Sequence, residues 1–296
     1  MKLKKTLLLL LIVLLTPVLI SCDQLFYFGF NTTTDLPITT TLPTLVNGTI
    51  TYESEDYSSY PQYVSDTYSL ESIDDYNDVL FNTQDYVRHA NIELIVTLYE
   101  ELKIVPWSTE TERREVGIST GSGFIFMEDT EYYYAITNYH VIDPEEYLVD
   151  YELKAYGDPE FSECEVVVSD ADIDLAVIRF LKAERTEITI IDIYQRLYYK
   201  FTPGELVMAC GNPLEVNDIV TFGEYFSIES IQNVDYDVIY HNAQIDEGSS
   251  GGALVDVDGN LLGVNTWGLQ SDDIYSFAIP NFIVYMFLIN YGILET

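Results

Sequence analysis

From about residue 87 onward the chain is written as short runs rich in Val, Ile, Tyr and Phe, each closed by turn-forming residues, with no amphipathic helix between them. That rhythm restricts the fold to antiparallel β barrels or sandwiches, because a parallel α/β sheet needs a helix between successive strands. A first set of strands is expected over Ile92 to Leu98, Gly123 to Met127, Tyr132 to Thr137, Cys164 to Val168 and Leu175 to Phe180. A second set is expected over Leu206 to Cys210, Val220 to Ser227, Val238 to Ile245, Ala253 to Val257 and Leu261 to Asn265. Turns fall at Glu128-Asp129 and Asp258-Gly259. The apolar stretch 281–291 after Pro280 is too short to cross a bilayer and is expected as a helix closing the second half. With 48% hydrophobic residues among 296, the chain can fill such a core.

The residues before this body read differently. Lys2, Lys4 and Lys5 precede the apolar run Leu7 to Leu15, followed by Leu19-Ile20-Ser21-Cys22. This is the layout of a bacterial lipoprotein signal peptide over residues 1–21, with Cys22 as the lipidated first residue; a plain signal peptide and a short membrane anchor are the alternatives, and all three place the remainder outside the cytoplasm. Residues 31–46 hold seven Thr and two Pro, and residues 52–86 hold nine acidic residues, seven Tyr and no Lys or Arg. Residues 22–86 are therefore expected to be a largely disordered tether, the alternative being that the tyrosines dock on the body or on a partner. Loss of the three leader lysines from a total of 13 basic residues leaves 49 acidic residues and a charge of −39, which argues against nucleic acid as a partner. Cys164 and Cys210 allow at most one disulfide. His89, His140 and His241 do not pair with cysteines at zinc-ligand spacing, and no structural metal is expected.

The sharpest local feature is Gly248-Ser249-Ser250-Gly251-Gly252 between two strand-like runs. Flanking glycines permit a tight turn that exposes a hydroxyl and leaves backbone N–H groups free to face a developing oxyanion. An α/β hydrolase carries its histidine after the serine, and no histidine follows His241, so that fold is excluded. The order His, Asp, Ser is available in His140, Asp174 and Ser250, at gaps of 34 and 76 residues. Asp172 in Asp170-Ala171-Asp172-Ile173-Asp174 is the competing carboxylate, and Leu175-Ala176-Val177-Ile178 favours Asp174. His89 and His241 are read as structural. Asp256-Val257-Asp258-Gly259-Asn260 has its glycine at the wrong position for a calcium loop and is read as a hairpin turn.

These segments, with Gly121-Ser122-Gly123-Phe124-Ile125, Gly211-Asn212-Pro213 and Phe277-Ala278-Ile279-Pro280, resemble the HtrA/DegP-type trypsin-like serine proteases over roughly residues 87–285. The resemblance implies an all-β chymotrypsin-like fold of two antiparallel six-stranded barrels, about 87–183 and 190–280, within a domain spanning 87–296. It implies endopeptidase activity without a cofactor, with Ser250 as nucleophile, His140 as general base and Asp174 as its partner. It also implies an oxyanion hole from the N–H groups of Gly248, Ser250 and possibly Ser249. The PDZ domain usual in that family has no counterpart in the 16 residues after Pro280, Ser249 stands where the family commonly has Asn, and oligomeric state is open.

In this fold the stretch before the nucleophile and the segment Gly263 to Gly268 build the primary pocket. Gln244, six residues before Ser250, replaces the acid of enzymes selective for Arg or Lys, and Asn265 replaces the histidine of glutamyl endopeptidases. With Gly263 these predict cleavage after small or medium apolar residues. The expected partners are protein or peptide substrates and the membrane, through Cys22. The competing reading is a catalytically silent scaffold serving as a surface binding or adhesion lipoprotein.

Overall fold

The computed structural model describes Leu45–Val46, Thr49–Ile50 and residues 59–294, apart from 105–106, 108, 144–146, 183–184, 186, 214–217, 232–233 and 271–273. The expected signal peptide and Cys22 lie outside the described residues. Strands β1 (Leu45–Val46) and β2 (Thr49–Ile50) form a small antiparallel pair, and helix α1 spans Ile73–Ala90. The first half then contains β3 (Asn91–Lys103), β4 (Thr111–Glu128), β5 (Tyr132–Thr137), the one-turn helix α2 (Tyr139–Ile142), β6 (Leu148–Ala155), β7 (Ser162–Glu163), β8 (Glu165–Asp170) and β9 (Leu175–Leu181). The second half contains β10 (Leu206–Gly211), β11 (Ile219–Ser230), β12 (Asp237–His241), β13 (Ala253–Val255), β14 (Leu261–Gln270) and β15 (Ile274–Pro280), followed by α3 (Asn281–Asn290).

The second half is a closed barrel of six strands in the order β10-β11-β12-β15-β14-β13. The first half is a seven-stranded sheet in the order β7-β6-β3-β4-β5-β9-β8, a half barrel rather than a closed ring among the described residues. The strand β6 went unread because Leu-Val-Asp-Tyr-Glu-Leu-Lys-Ala carries three charges. Its Leu153 and Ala155 nevertheless alternate into the core beside Ile92, Leu94 and Val96 of β3. Strand β4 begins at Thr111 rather than Gly123, because its charged start pairs with the outer part of β3.

Side-chain alternation along the strands builds the rest. In β4, Ile125 faces the first half's own core while its neighbours Phe124 and Phe126 face the second half. There they meet a shared layer that includes Met208, Cys210, Val255 and Ile279, capped by Phe282, Ile283 and Phe287 of α3. Strand partners Leu254, Ile239 and Ala278 point instead into the closed barrel. Cys164 and Cys210 are both free and buried, one in the first half's core and one in the shared layer, so the possible disulfide does not form. Burial raises the Cys164 thiol to about 12.

Part of the expected tether is ordered structure. Ser72 caps α1 by accepting from the Asp75 N–H at 3.3 Å, and Asp74 and Asp75 lie in its first turn, where acids favour the helix dipole. Composition pointed to disorder, but the tyrosines and hydroxyls of this segment find fixed partners. Tyr63, Ser65 and Thr67 all donate to the Asp258 carboxylate, at 2.9, 2.8 and 2.7 Å. Thr83 donates to Val257 O, and Tyr86 donates to Ile190 O. Beneath Tyr63 lies Arg196, fully buried and paired with Asp256 at 2.7 Å and Glu205 at 3.1 Å. Within the described part of that segment, residues 59–86, Tyr63 and Tyr86 dock on the body.

Candidate active site

The seam between the halves brings together segments from four elements. Asn138 ends β5 and opens α2, which places His140 on a half-exposed turn with its side chain 49% accessible. The turn before β9 holds Asp174 at φ 56°, in the left-handed region that a non-glycine residue occupies only when its surroundings enforce it. Two side chains enforce it: Asn138 donates to Asp174 O at 2.9 Å, and Tyr236 OH donates to Ile173 O at 3.1 Å. The carboxylate then faces the imidazole. His140 Nδ1 is 2.9 Å from Asp174 Oδ2 and 3.0 Å from Oδ1, and the His140 N–H donates to Oδ1 at 2.9 Å. Asp172 is exposed and turns its N–H to Asp170, so the carboxylate beside the imidazole is that of Asp174.

Ser250 sits at the head of a turn that tolerates no side chain at its next position. Gly251 has φ 88°, and a Cβ there would lie 2.1 Å from Ser122 O and 2.4 Å from Thr137 Oγ1. The turn is clamped from β4. The Ser122 N–H donates to Ser250 O at 2.8 Å, and Ser122 Oγ donates to Gly248 O at 2.6 Å while accepting from the Asn212 N–H at 2.8 Å. Gly248 is at φ 94°, and among the described residues the N–H groups of Gly248 and Ser250 have no hydrogen-bond partner. The Ser249 N–H is spent on Asp246 O at 2.9 Å, so Ser249 is not an available oxyanion donor.

Thr266 links Ser250 to Asp174. Its carbonyl accepts from Ser250 Oγ at 2.8 Å, and its hydroxyl donates to Asp174 Oδ2 at 2.8 Å. Sequence reasoning missed both Thr266 and Ser122 in these roles. Each is a small hydroxyl residue within a segment singled out for other reasons, and only the fold shows where its oxygen points.

The pocket residues fare differently. Asn265 is fully buried and donates to Ala253 O at 3.0 Å. Gly263 is packed so closely that a Cβ would lie 2.5 Å from Ile279 O and 3.0 Å from Ile239 Cδ1. Both belong to the barrel wall rather than to a cavity that a substrate enters. Gln244 is exposed and donates to Asp246 at 2.9 Å. Gly268 packs against Ile245, a Cβ there meeting Ile245 Cγ1 at 3.3 Å, and Ile245 is itself buried in the closed barrel's core. His241 is buried in the barrel, where loss of solvent pushes its pKa down to about 3 against a small opposing effect of Asn265.

Comparison with known proteins agrees with this geometry. Residues 121–264 match the family model of a trypsin-like peptidase domain. Serine protease HTRA1 of Xenopus laevis is 31% identical over 176 residues, which cover 57% of this chain and 35% of that protein. Serine protease Do-like HtrA of Bacillus subtilis is 31% identical over 185 residues, covering 59% and 39%. The chain thus spans little more than a third of the length of these relatives. Among solved structures, the serine endoprotease from Yersinia pestis aligns with a TM-score of 0.51 at 25% identity, over 72% of this chain and 66% of that one. The HtrA-type protease AlgW aligns with a TM-score of 0.57 at 24% identity, over 72% and 67%, and shares the fold. Residues 121–264 thus match a trypsin-like peptidase domain, and the chain is similar to HtrA serine proteases over 57% to 59% of its length.

Proposed function

We propose that this chain is an extracytoplasmic serine endopeptidase, held at the membrane by lipidated Cys22 and acting on unfolded or specific proteins through an acyl-enzyme. The observation that carries the reading is the chain of contacts in which Asp174 faces His140 and is bonded by Thr266, whose carbonyl accepts from Ser250. In the resting arrangement the Ser250 hydroxyl donates to Thr266 O, so attack begins with its rotation toward His140. His140 takes the proton as Ser250 Oγ bonds to the peptide carbonyl carbon, and Asp174 balances the imidazolium through Nδ1. The Gly248 and Ser250 N–H groups face the developing oxyanion, a contribution of about 3 kcal/mol for each such donor. The proton then passes to the leaving amine, and water repeats the sequence on the acyl-enzyme. Gln244 and Asn265, standing where related enzymes selective for basic or acidic residues carry an acid or a histidine, support cleavage after small or medium apolar residues.

The leader pattern Lys2, Lys4, Lys5, Leu7 to Leu15 and Cys22 supports the anchor. An active-site fluorophosphonate tests the chemistry: it is expected to label Ser250, and Ser250→Ala is expected to lose both labelling and cleavage of an unfolded protein. Absence of labelling and cleavage in the intact mature protein would instead favour a silent binding scaffold. Cys22→Ala is expected to move the protein from the membrane to the soluble fraction.

A further inference from the structure

The hydroxyl of Ser122 has a single proton, and its neighbours fix where that proton goes. Asn212, the residue after β10, turns two donors on Ser122 Oγ: its backbone N–H at 2.8 Å and its side-chain Nδ2 at 3.2 Å. Neither can accept in return, so the hydroxyl is left to donate to Gly248 O, which it does at 2.6 Å. Gly248 lacks a Cβ and sits at φ 94°, so hydrogen bonds rather than side-chain sterics hold its peptide planes. The end of β10 lies against this turn: a Cβ on Gly211 would meet Ser249 Cα at 3.0 Å and Ser122 Oγ at 3.1 Å.

The sense of the Asn212 amide is itself fixed from the far side. Its Oδ1 accepts from the Asp218 N–H at 2.9 Å and from Asn91 Nδ2 at 3.0 Å, while its Nδ2 also donates to Ile92 O at 2.7 Å. Both lone pairs and both protons of the amide are thus used, and turning it over would set donor against donor. Asn91, the first residue of β3, also donates from Nδ2 to Asp218 Oδ1 at 2.8 Å, and its own buried Oδ1 has no partner among the described residues. An oxygen goes unpaired so that both protons can be aimed at Asn212 and Asp218. Asp218, the residue before β11, stands at φ 57°, in the left-handed region, with its N–H on Asn212. Arg88, in the last turn of α1, secures that conformation by donating through Nε to Asp218 O at 3.0 Å.

Resting on the serine endopeptidase reading, we infer that Asn212 is a positioning residue for oxyanion stabilisation: held by Asn91 and Asp218, it makes Ser122 grip the Gly248 carbonyl and so keeps the Gly248 N–H turned to the cleft. Its effect runs through Ser122 to a donor that is needed only as negative charge develops on the substrate oxygen. With its carbonyl anchored, Gly248 has fewer ways to swing its N–H aside, and no reordering is required when the charge appears. The contribution therefore belongs to the transition state and not to the ground-state complex. It originates outside the catalytic segments, where α1 passes into β3.

The experiment uses the mature protein, one internally quenched peptide and a peptide aldehyde of the same sequence. Ser250 Oγ bonds to the aldehyde carbon while His140 takes the hydroxyl proton, and the resulting tetrahedral oxygen meets the same donors as the oxyanion. Asn212→Ala is expected to lower kcat by about tenfold to a hundredfold with KM little changed, short of the full effect of deleting an oxyanion donor. It is expected to weaken the aldehyde by a similar factor, while the intact peptide binds equally to Ser250→Ala with and without the added exchange. Asp218 gives a second test that leaves the buried amide in place. Asp218→Val opposes the left-handed backbone that presents the N–H and is expected to lower kcat about tenfold, whereas Asp218→Gly suits it and is expected to restore most of the rate. If Asn212→Ala does not fold, this pair decides. Equal kcat in the two Asp218 variants of an active enzyme, or unchanged kcat and aldehyde affinity in Asn212→Ala, would overturn the inference and leave the endopeptidase reading intact. The inference also fails if Asn212→Ala raises KM alone, or lowers kcat while the aldehyde binds as before, since the loss then lies outside the oxyanion. A wild type that neither cleaves the peptide nor takes a fluorophosphonate overturns the endopeptidase reading itself.

Discussion

Thr266 touches both working ends of the triad, and its two oxygens have different jobs. The carbonyl parks the Ser250 hydroxyl, whereas the side-chain hydroxyl satisfies the Asp174 oxygen that also faces His140. Losing the hydroxyl leaves a partly buried carboxylate short of a donor and free to turn, which loosens the imidazole that depends on it. Thr266→Val is expected to lower kcat by about tenfold to a hundredfold, with KM little changed, as befits loss of one hydrogen bond to a charged group. Thr266→Ser keeps the oxygen and is expected to restore most of the rate. Steady-state kinetics on one peptide would distinguish this from a packing effect, because Val matches the shape of Thr and Ser does not.

Among the elements, residues 59–90 form a strap fastened to the second half by a few polar contacts. Asp258 at the β13–β14 turn receives hydroxyls from Tyr63, Ser65 and Thr67, and it is the carboxylate on which the strap converges. Asp258→Ala is expected to cost about 3 kcal/mol in stability, because three donors lose a charged acceptor at once. Limited proteolysis should then cut first between residues 60 and 72, a change visible by mass before any loss of the protease body. That carboxylate was legible in the sequence only as a turn residue. The barrel strands could be read because Val, Ile and Tyr alternate within them, and the His140–Asp174 pair because the segments around both residues resemble a known motif set. The strap could not be read: its acidity matches a solvated tail, and only a distant arginine, Arg196, and a distant turn reveal where it docks. The pocket was misjudged at Gly263 and Asn265 for a related reason, since a position along β14 does not show which face of the strand it occupies.

At the scale of the whole molecule, the two halves share one apolar layer, and the closed barrel encloses a histidine that cannot meet solvent. His241 stays neutral when folded because its pKa is near 3, whereas the unfolded chain takes up a proton near the ordinary value of 6.5. The folded state is therefore favoured fully above about pH 6.5, and this contribution drains away as pH falls toward about 3, by up to about 1.4 kcal/mol per pH unit. Thermal melts of the wild type and His241→Thr across that window are expected to converge or cross on the acid side, the variant losing less stability as pH drops.

The strap also decides how a pull is carried. Load entering from the amino end would first act on the Asp258 hydroxyl cluster and on α1, fastened at Val257 and Ile190, before reaching β3. Strand β3 is the neighbour of β4, whose Ser122 grips the nucleophile turn. The strap thus works as a strain relief: a tug on the amino end would be taken up there before it reached the turn that holds Ser250.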